Sequence, residues 1–278
     1  MQLPRDLIGA EAELPELSRA ILALARSFDV PTVGGYHITC SDETEWECAR
    51  AFHRIIAAAT LPPLKADRPA AFHTMNLGAR YESGAARIAE HHYAVNQPDG
   101  RAKLMIVKIN SHVSVDQTAD GPRFGTLDRY GIESTCCGAL TAMFTDASLP
   151  ALDELRQTFR SESTDRIALL RDEMRIPASR RLLYAAVVNA RLQAARAVDE
   201  MTATAPHSPT VWLVFPCVTL NYVNRDDTEL LIGQYTVDAT EDEPTTLYQG
   251  LGDMPSEYRL GNQDERIVIE DDRWPEVS

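Results

Sequence analysis

The sequence predicts an α/β protein built on a short, mainly parallel β-sheet flanked by helices. Three observations point there. Leu104 to Ile109 is a run of six positions that is apolar except at Lys108, the pattern of a strand buried on both faces of a parallel sheet. Strand-like and helix-like stretches alternate from Gly34 through Ile109, as parallel strands with helical crossovers require. The residues best suited to chemistry, Cys40 and His112, fall just past predicted strands, the usual position of ligands in open α/β sheets.

Taken in order, residues 13–28 place Leu14, Leu17, Ile21, Leu22 and Leu24 at helical spacing, and Pro31 closes that helix. Gly34 and Gly35 precede a short strand, Tyr36 to Thr39. An amphipathic helix follows, with Trp46, Ala49, Phe52, Ile55 and Ile56 on one side and Ser41 or Asp42 as its cap. Pro62-Pro63 ends it, and Ala70 to Leu77 reads as a second strand. Ala85 to Val95 fits helix or strand, and Gln97-Pro98-Asp99-Gly100 is a turn. After the Leu104–Ile109 strand, Ser134 reads as a helix N-cap, which puts Cys136 and Cys137 in a first helical turn, where a thiol's pKa is lowered. Segments 150–160, 163–174 and 177–201 carry the helical period. Val211 to Tyr222 and Leu230 to Val237 read as strands joined by the turn Asn224-Arg225-Asp226-Asp227. The part from Thr240 is acidic and turn-rich, with a short strand at Arg266 to Ile269. No linker or repeat divides the chain, so residues 1–278 read as a single domain with an N-terminal helical arm (1–30) and an acidic tail (241–278).

Composition narrows the function. A net charge of −14 opposes charge-driven binding to nucleic acid or to an anionic membrane. No apolar run approaches the roughly 20 residues of a membrane span, and MQLPRDLIGAEAEL lacks the basic segment and apolar core of a secretory signal. Five cysteines, an odd number, fit a reducing, cytoplasmic setting with free or metal-bound thiols.

Cys48 and Cys217 lie within predicted elements and read as packing residues; His37, His53 and His73 read as satisfied or surface histidines. Of the pair His91-His92, at most one side chain would face a given site on a strand. Cys40, His112 and Cys137 gain weight together. Two thiolates and one imidazole are ligands that zinc prefers, leaving a fourth position for water, whose pKa the metal lowers towards neutrality. Asp42, two residues from Cys40, can orient that water's hydroxide or occupy the fourth position and close the site. Whether Cys136 exchanges with Cys137 stays open at this point.

These residues resemble the low-CO2-inducible B (LCIB-like) protein family, which is similar to β-type carbonic anhydrases. The resemblance rests on Cys40-Ser41-Asp42, Ser111-His112-Val113 with Asp116, then Gly125, Leu127, Arg129, Gly131 and Ser134 at fixed spacing, and Cys137-Gly138-Ala139. It covers most of residues 30–240. It implies a β-carbonic-anhydrase-like fold, a homodimer, and Zn2+ held by Cys40, His112 and Cys137. It also implies the reversible hydration of CO2 to bicarbonate and a proton by zinc-bound hydroxide, with Asp42 as the dyad carboxylate. The β-type pattern has an arginine two residues after that aspartate. Here Thr44 stands there, so Arg80 or Arg129 is expected to hold Asp42 from another loop, with Arg87 a lesser candidate. The departure leaves room for a catalytically silent zinc protein of the same fold that binds bicarbonate or a partner protein.

Overall fold

The computed structural model describes residues 33–59, 71–92, 102–118, 121–129, 131–144, 181–222, 228–240 and 243–250. The expected helices at 13–28, 150–160 and 163–174, the turns at 97–100 and 224–227 and the strand at 266–269 lie outside the described residues, as does the arm at 1–30. In chain order the elements are β1 (Val33–Cys40), α1 (Trp46–Ala59), β2 (Phe72–Asn76), α2 (Ala85–His92), β3 (Lys103–Thr118), β4 (Gly121–Phe124), β5 (Thr126–Arg129) and β6 (Ile132–Thr135). They continue with α3 (Gly138–Phe144), α4 (Arg181–Ala203), β7 (Thr210–Tyr222), β8 (Thr228–Leu231), β9 (Gly233–Ala239) and β10 (Thr245–Gly250).

The principal sheet runs β10-β9-β7-β3-β1-β2, with β4 beside β3 and β8 beside β7. Its centre is parallel: β7 pairs β3, β3 pairs β1 and β1 pairs β2 in the same direction. The flank formed by β9 and β10 is antiparallel. This is the expected α/β architecture with a parallel centre. The antiparallel flank is less legible in sequence, and β10 falls in a stretch that reads only as acidic tail.

Alternation along the central strands sorts the core into two faces. Leu104 and Ile106 of β3 pack with Phe52, Ile55 and Ile56 of α1 and with Leu213 and Phe215 of β7. Met105, Val107 and Ile109 point the other way, to Ala194 and Ala197 of α4 and to Trp212 and Val214. Within α1, Ala49, Phe52, Ile55 and Ile56 are buried as expected, but Trp46 is 55% exposed. It opens the helix, ahead of the turns that pack on the sheet.

Two expectations need correction. The strand expected to stop at Ile109 runs on to Thr118, so His112 lies inside β3 rather than past its end. The reason is pairing. Beyond Asn110, where the β1 register ends, β7 still pairs with β3 from Ser111 to Val115, and β4 pairs from Val115 to Thr118. Ser134 is not an N-cap; it sits in β6 opposite Leu127, in a two-stranded ribbon formed with β5. The helix begins at Gly138, so Cys136 and Cys137 precede it. Residues 85–92 form a helix, which places His91 and His92 on α2, both exposed.

The α1 face also buries polar groups. Lys108, 1% exposed, forms an ion pair with Glu229 and donates to Cys48 Sγ at 3.1 Å. The Cys48 thiol in turn donates to Glu229 at 2.7 Å, so Cys48 belongs to a polar cluster and is not merely a packing residue. His37 is fully buried, with its ring centroid 4.8 Å from Phe52 and 5.2 Å from His73. Burial, with the Lys108 charge adding, holds its pKa well below the ordinary value. The unfolded chain therefore takes up a proton near pH 6.5 that folded His37 refuses. Stability should fall as pH drops below about 6.5, by about 1.4 kcal/mol per pH unit for this group. Urea midpoints at pH 7 and pH 5 check this: His37→Gln should lessen the difference between them.

Candidate metal centre

The site forms where β1 stops. Cys40 is its last residue and is buried. The chain turns at Ser41, whose N–H donates to Asn76 O at 3.0 Å and so ties the turn to the end of β2. Asp42 caps the turn that leads into α1: its carbonyl accepts from Glu45 N at 3.1 Å. Its Oδ1 accepts from Thr44 N at 3.2 Å and from Thr44 Oγ1 at 3.0 Å, the usual geometry of an N-cap carboxylate. Thr44, which stands where the β-type pattern has arginine, thus holds the aspartate itself.

β3 brings in His112, which is fully buried. The third element is the loop between β6 and α3. Gly125 N donates to Ser114 O at 2.9 Å, Cys136 N to Gly125 O at 3.2 Å, and Ser114 N to Cys136 O at 3.0 Å. This backbone lattice fixes Cys136 and Cys137 against β3. Cys137 O accepts from Thr141 N at 3.0 Å, the first bond of α3. Gly125 has φ +93°, and a Cβ there would stand 2.1 Å from Leu182 Cδ1. Gly125→Ala should therefore cost about 1–3 kcal/mol by overpacking and loosen the Cys136–Cys137 loop. Thermal denaturation and metal titration of this variant measure the two effects separately.

The ligand atoms of Cys40, His112 and Cys137 lie within 4.8 Å of one another, all three residues buried. Cys40 Sγ and Cys137 Sγ are 3.6 Å apart, close to the edge of about 3.8 Å expected for two thiolates on a tetrahedral zinc at about 2.3 Å. His112 Nδ1 donates to Asn221 Oδ1 at 3.0 Å, while Nε2 is buried with no hydrogen-bond partner among the described residues. A buried ring nitrogen left without a partner, beside two thiols, fits a metal that takes imidazole and thiolate. Asn221 is the kind of partner that fixes the ring and tautomer of a metal-bound histidine.

The charges agree with that donor set. The Cys137 thiol bonding to Cys40 lowers the Cys40 pKa to about 4 against burial, and His112 and the Gly78 amide add to the effect. Cys137, retaining the proton beside the Cys40 thiolate and buried, is pushed well up. Burial alone would lower His112, but the surrounding thiols of Cys136, Cys137 and Cys40 and the Glu45 carboxylate hold its pKa well above the ordinary value. Burial raises Glu45 to about 7; its Oε1 is 3.7 Å from His112 Nδ1, and its Oε2 accepts from Asn110.

Of the expected arginines, Arg80 follows the end of β2 with its main chain clasped by Asn76, whose Oδ1 accepts from Arg80 N at 2.6 Å and whose Nδ2 donates to Arg80 O at 2.6 Å. Arg129 ends β5, and its side chain lies outside the described residues. Glu45 and Thr44 were not expected at the site. Glu45 carries only the signal of an acidic residue in a first helical turn. That signal points to the helix dipole rather than to a histidine on a distant strand, so its role emerges only in three dimensions.

No protein-family model matches the sequence, and no curated protein matches it. Among solved structures, this chain is similar to PtLCIB4, a homolog of the limiting CO2-inducible protein LCIB, at 16% identity over 84% of this chain and 93% of that one, with TM-score 0.56. It is similar to the limiting CO2-inducible protein LCIB at 15% identity over 86% of this chain and 94% of that one, with TM-score 0.50. A point mutant of PtLCIB4 aligns at 17% identity over 82% and 91%, with TM-score 0.56. The chain therefore has the α/β fold of the LCIB structures, with a buried Cys/His/Cys group able to hold a metal at the end of its first central strand.

Proposed function

We propose that this protein is a zinc-dependent carbonic anhydrase that interconverts CO2 and bicarbonate. The observation that carries the reading is the buried convergence of Cys40, His112 and Cys137 from three separate elements, with His112 Nε2 left without a hydrogen-bond partner among the described residues. These three residues would hold the ion. When bound, the ion supplies Lewis acidity, which makes water a nucleophile near neutral pH. Asn221 Oδ1 accepts a hydrogen bond from His112 Nδ1–H and sets the ring. Asp42, held through Oδ1 by Thr44, would accept a hydrogen bond from the reacting water and orient it. Arg80 or Arg129 is proposed to steady that carboxylate further. The two thiols belong to an apolar cluster with Phe124, Ala139, Leu140 and Leu183, surroundings that suit CO2 and exclude bulk water. Among the described residues no helix is long and apolar enough to cross a membrane. We place the protein in the cytoplasm, where its thiols stay reduced, as a homodimer that binds neither nucleic acid nor membrane.

One observation favours a second reading. Asp42 groups with His112 and Cys136, its ligand atoms within 4.8 Å of theirs, and not with Cys40 and Cys137; a carboxylate engaged there and by Thr44 does not orient a reacting water, which leaves a silent protein that binds bicarbonate or a partner protein. Stopped-flow CO2 hydration separates the two. Zinc-loaded protein should exceed the buffer rate, lose that excess to a chelator and regain it with zinc. Full zinc occupancy with no rate above buffer would select the silent reading.

A further inference from the structure

The buried side of α4 is apolar at Leu183, Ala186, Val187, Ala190, Ala194 and Ala197, yet it also buries Asn189 and Gln193 completely. Amides in such surroundings are costly unless their polar atoms find partners. Here the partners form one directed chain. Tyr81 N donates to Gln193 Oε1 at 2.9 Å, so Gln193 Nε2 faces the other way and donates to Asn189 Oδ1 at 3.3 Å. Asn189 Nδ2 is then turned outward and donates to Gly78 O at 2.5 Å and to Ser111 Oγ at 2.7 Å. A backbone N–H at one end and a carbonyl at the other fix the orientation of both amides.

Both ends of the chain lead to the metal centre. Gly78 lies in the turn Leu77–Ala79 after β2, with φ +71° and ψ +21°. Ala79 follows at φ +55°, a left-handed conformation that its Cβ disfavours. Backbone of this kind persists only where its surroundings hold it. In a left-handed turn, as in any helical conformation, the N–H and C=O of one residue point in opposite directions. Holding the Gly78 carbonyl on α4 therefore aims its N–H away from α4, towards the end of β1, where it hydrogen-bonds to Cys40. The other partner, Ser111, directly precedes His112 on β3.

We propose that Asn189 is a positioning residue for the metal centre: through Gly78 it holds the turn that presents an amide to the Cys40 sulfur, and through Ser111 it holds β3 beside His112. The proposal rests on the zinc reading, because the amide matters most to a sulfur that carries charge and is shared with an ion. A donor to an anionic acceptor makes a strong hydrogen bond, and such outer-shell contacts both orient a ligand and tune it. Gln193 acts one step further back, by fixing which way the Asn189 amide faces.

The probe is 113Cd alone, added to the full-length 15N-labelled protein, with a 1H–113Cd correlation spectrum and cadmium titration as readouts. In the unaltered chain the Gly78 amide proton should couple to the ion across its hydrogen bond to sulfur. Asn189→Leu should lose that coupling and bind cadmium about 10-fold more weakly, the low end of the loss typical of an outer-shell partner. A merely structural role would lower stability without touching the coupling. If Asn189→Leu does not fold, Gln193→Met decides, and it should weaken the same coupling. Bound cadmium with no coupling to Gly78, or a folded variant that keeps coupling and affinity, overturns the role of Asn189 and leaves the zinc reading standing. Failure of the unaltered chain to bind cadmium overturns the metal centre and this role together.

Discussion

Replacing Cys137 with serine is expected to lower zinc affinity by more than about 100-fold, beyond the 10–100-fold typical of losing an outer-shell partner, and to abolish the CO2 hydration proposed above. The expectation follows from what the thiol does in the structure. Cys137 Sγ lies 3.6 Å from Cys40 Sγ, and its bond is the main reason that Cys40 is held as thiolate. Serine keeps the volume but offers a hydroxyl that does not ionise near neutral pH, so one anionic ligand is lost and the other is weakened. Cys217→Ser is the matched control. Cys217 is equally buried, but it packs on the α1 face with Phe215 and Leu231, and its thiol is pushed up to about 12, mainly by burial. Its replacement should leave zinc binding unchanged. Zinc retained by Cys137→Ser at wild-type affinity would remove this residue from the centre. Asn221→Leu should fall between the two, within the 10–100-fold range.

Glu90→Ala is expected to destabilise the fold by about 3–5 kcal/mol, the cost of leaving a buried charge without its partner. Lys103 starts β3 and Glu90 lies in α2; both side chains are fully buried and they form an ion pair. Lys103 Nζ also donates to Glu90 O at 3.0 Å, and the second carboxylate oxygen accepts from His207 N at 3.2 Å and pairs with His207 Nδ1 at 2.7 Å. Alanine removes the carboxylate and strands the ammonium. Burial opposes ionisation of Glu90, but Lys103 and His207 outweigh it and hold the carboxyl below its ordinary pKa. The contribution is therefore present above the ordinary glutamate pKa and is lost as pH falls through the lowered folded value. Urea denaturation at neutral pH measures the loss. The double variant Glu90→Leu, Lys103→Met should recover most of it, because an apolar pair of similar volume has no charge to desolvate. An unchanged urea midpoint in Glu90→Ala would show that the ammonium reaches water without its partner.

Much of this is written along the chain. The run Leu104–Ile109 announces a strand buried on both faces because both faces are apolar apart from Lys108, and β3 shows both faces covered. The helix after Cys40 is legible from Ala49, Phe52, Ile55 and Ile56, since helical spacing repeats within a few residues. The two cysteines and the histidine that meet at the centre are legible as residue types, because few side chains bind a metal as thiolate or imidazole do.

What the linear order withholds is everything set by a partner distant along the chain. β3 passes Ile109 because β7 and β4 supply hydrogen bonds there, and a strand cannot declare that it will find a neighbour. Ser134 goes into a ribbon for the same reason. That Glu45 and Thr44 come to lie beside the His112 ring is not signalled in sequence, because the distances involved exist only after β1, β3 and the β6–α3 loop have packed. Sequence by itself determined the class of fold and the donors available to a metal, both of which are local chemistry. Tertiary structure alone decided which nitrogen of His112 is left without a partner and which residues surround the other, because burial and proximity belong to the folded chain.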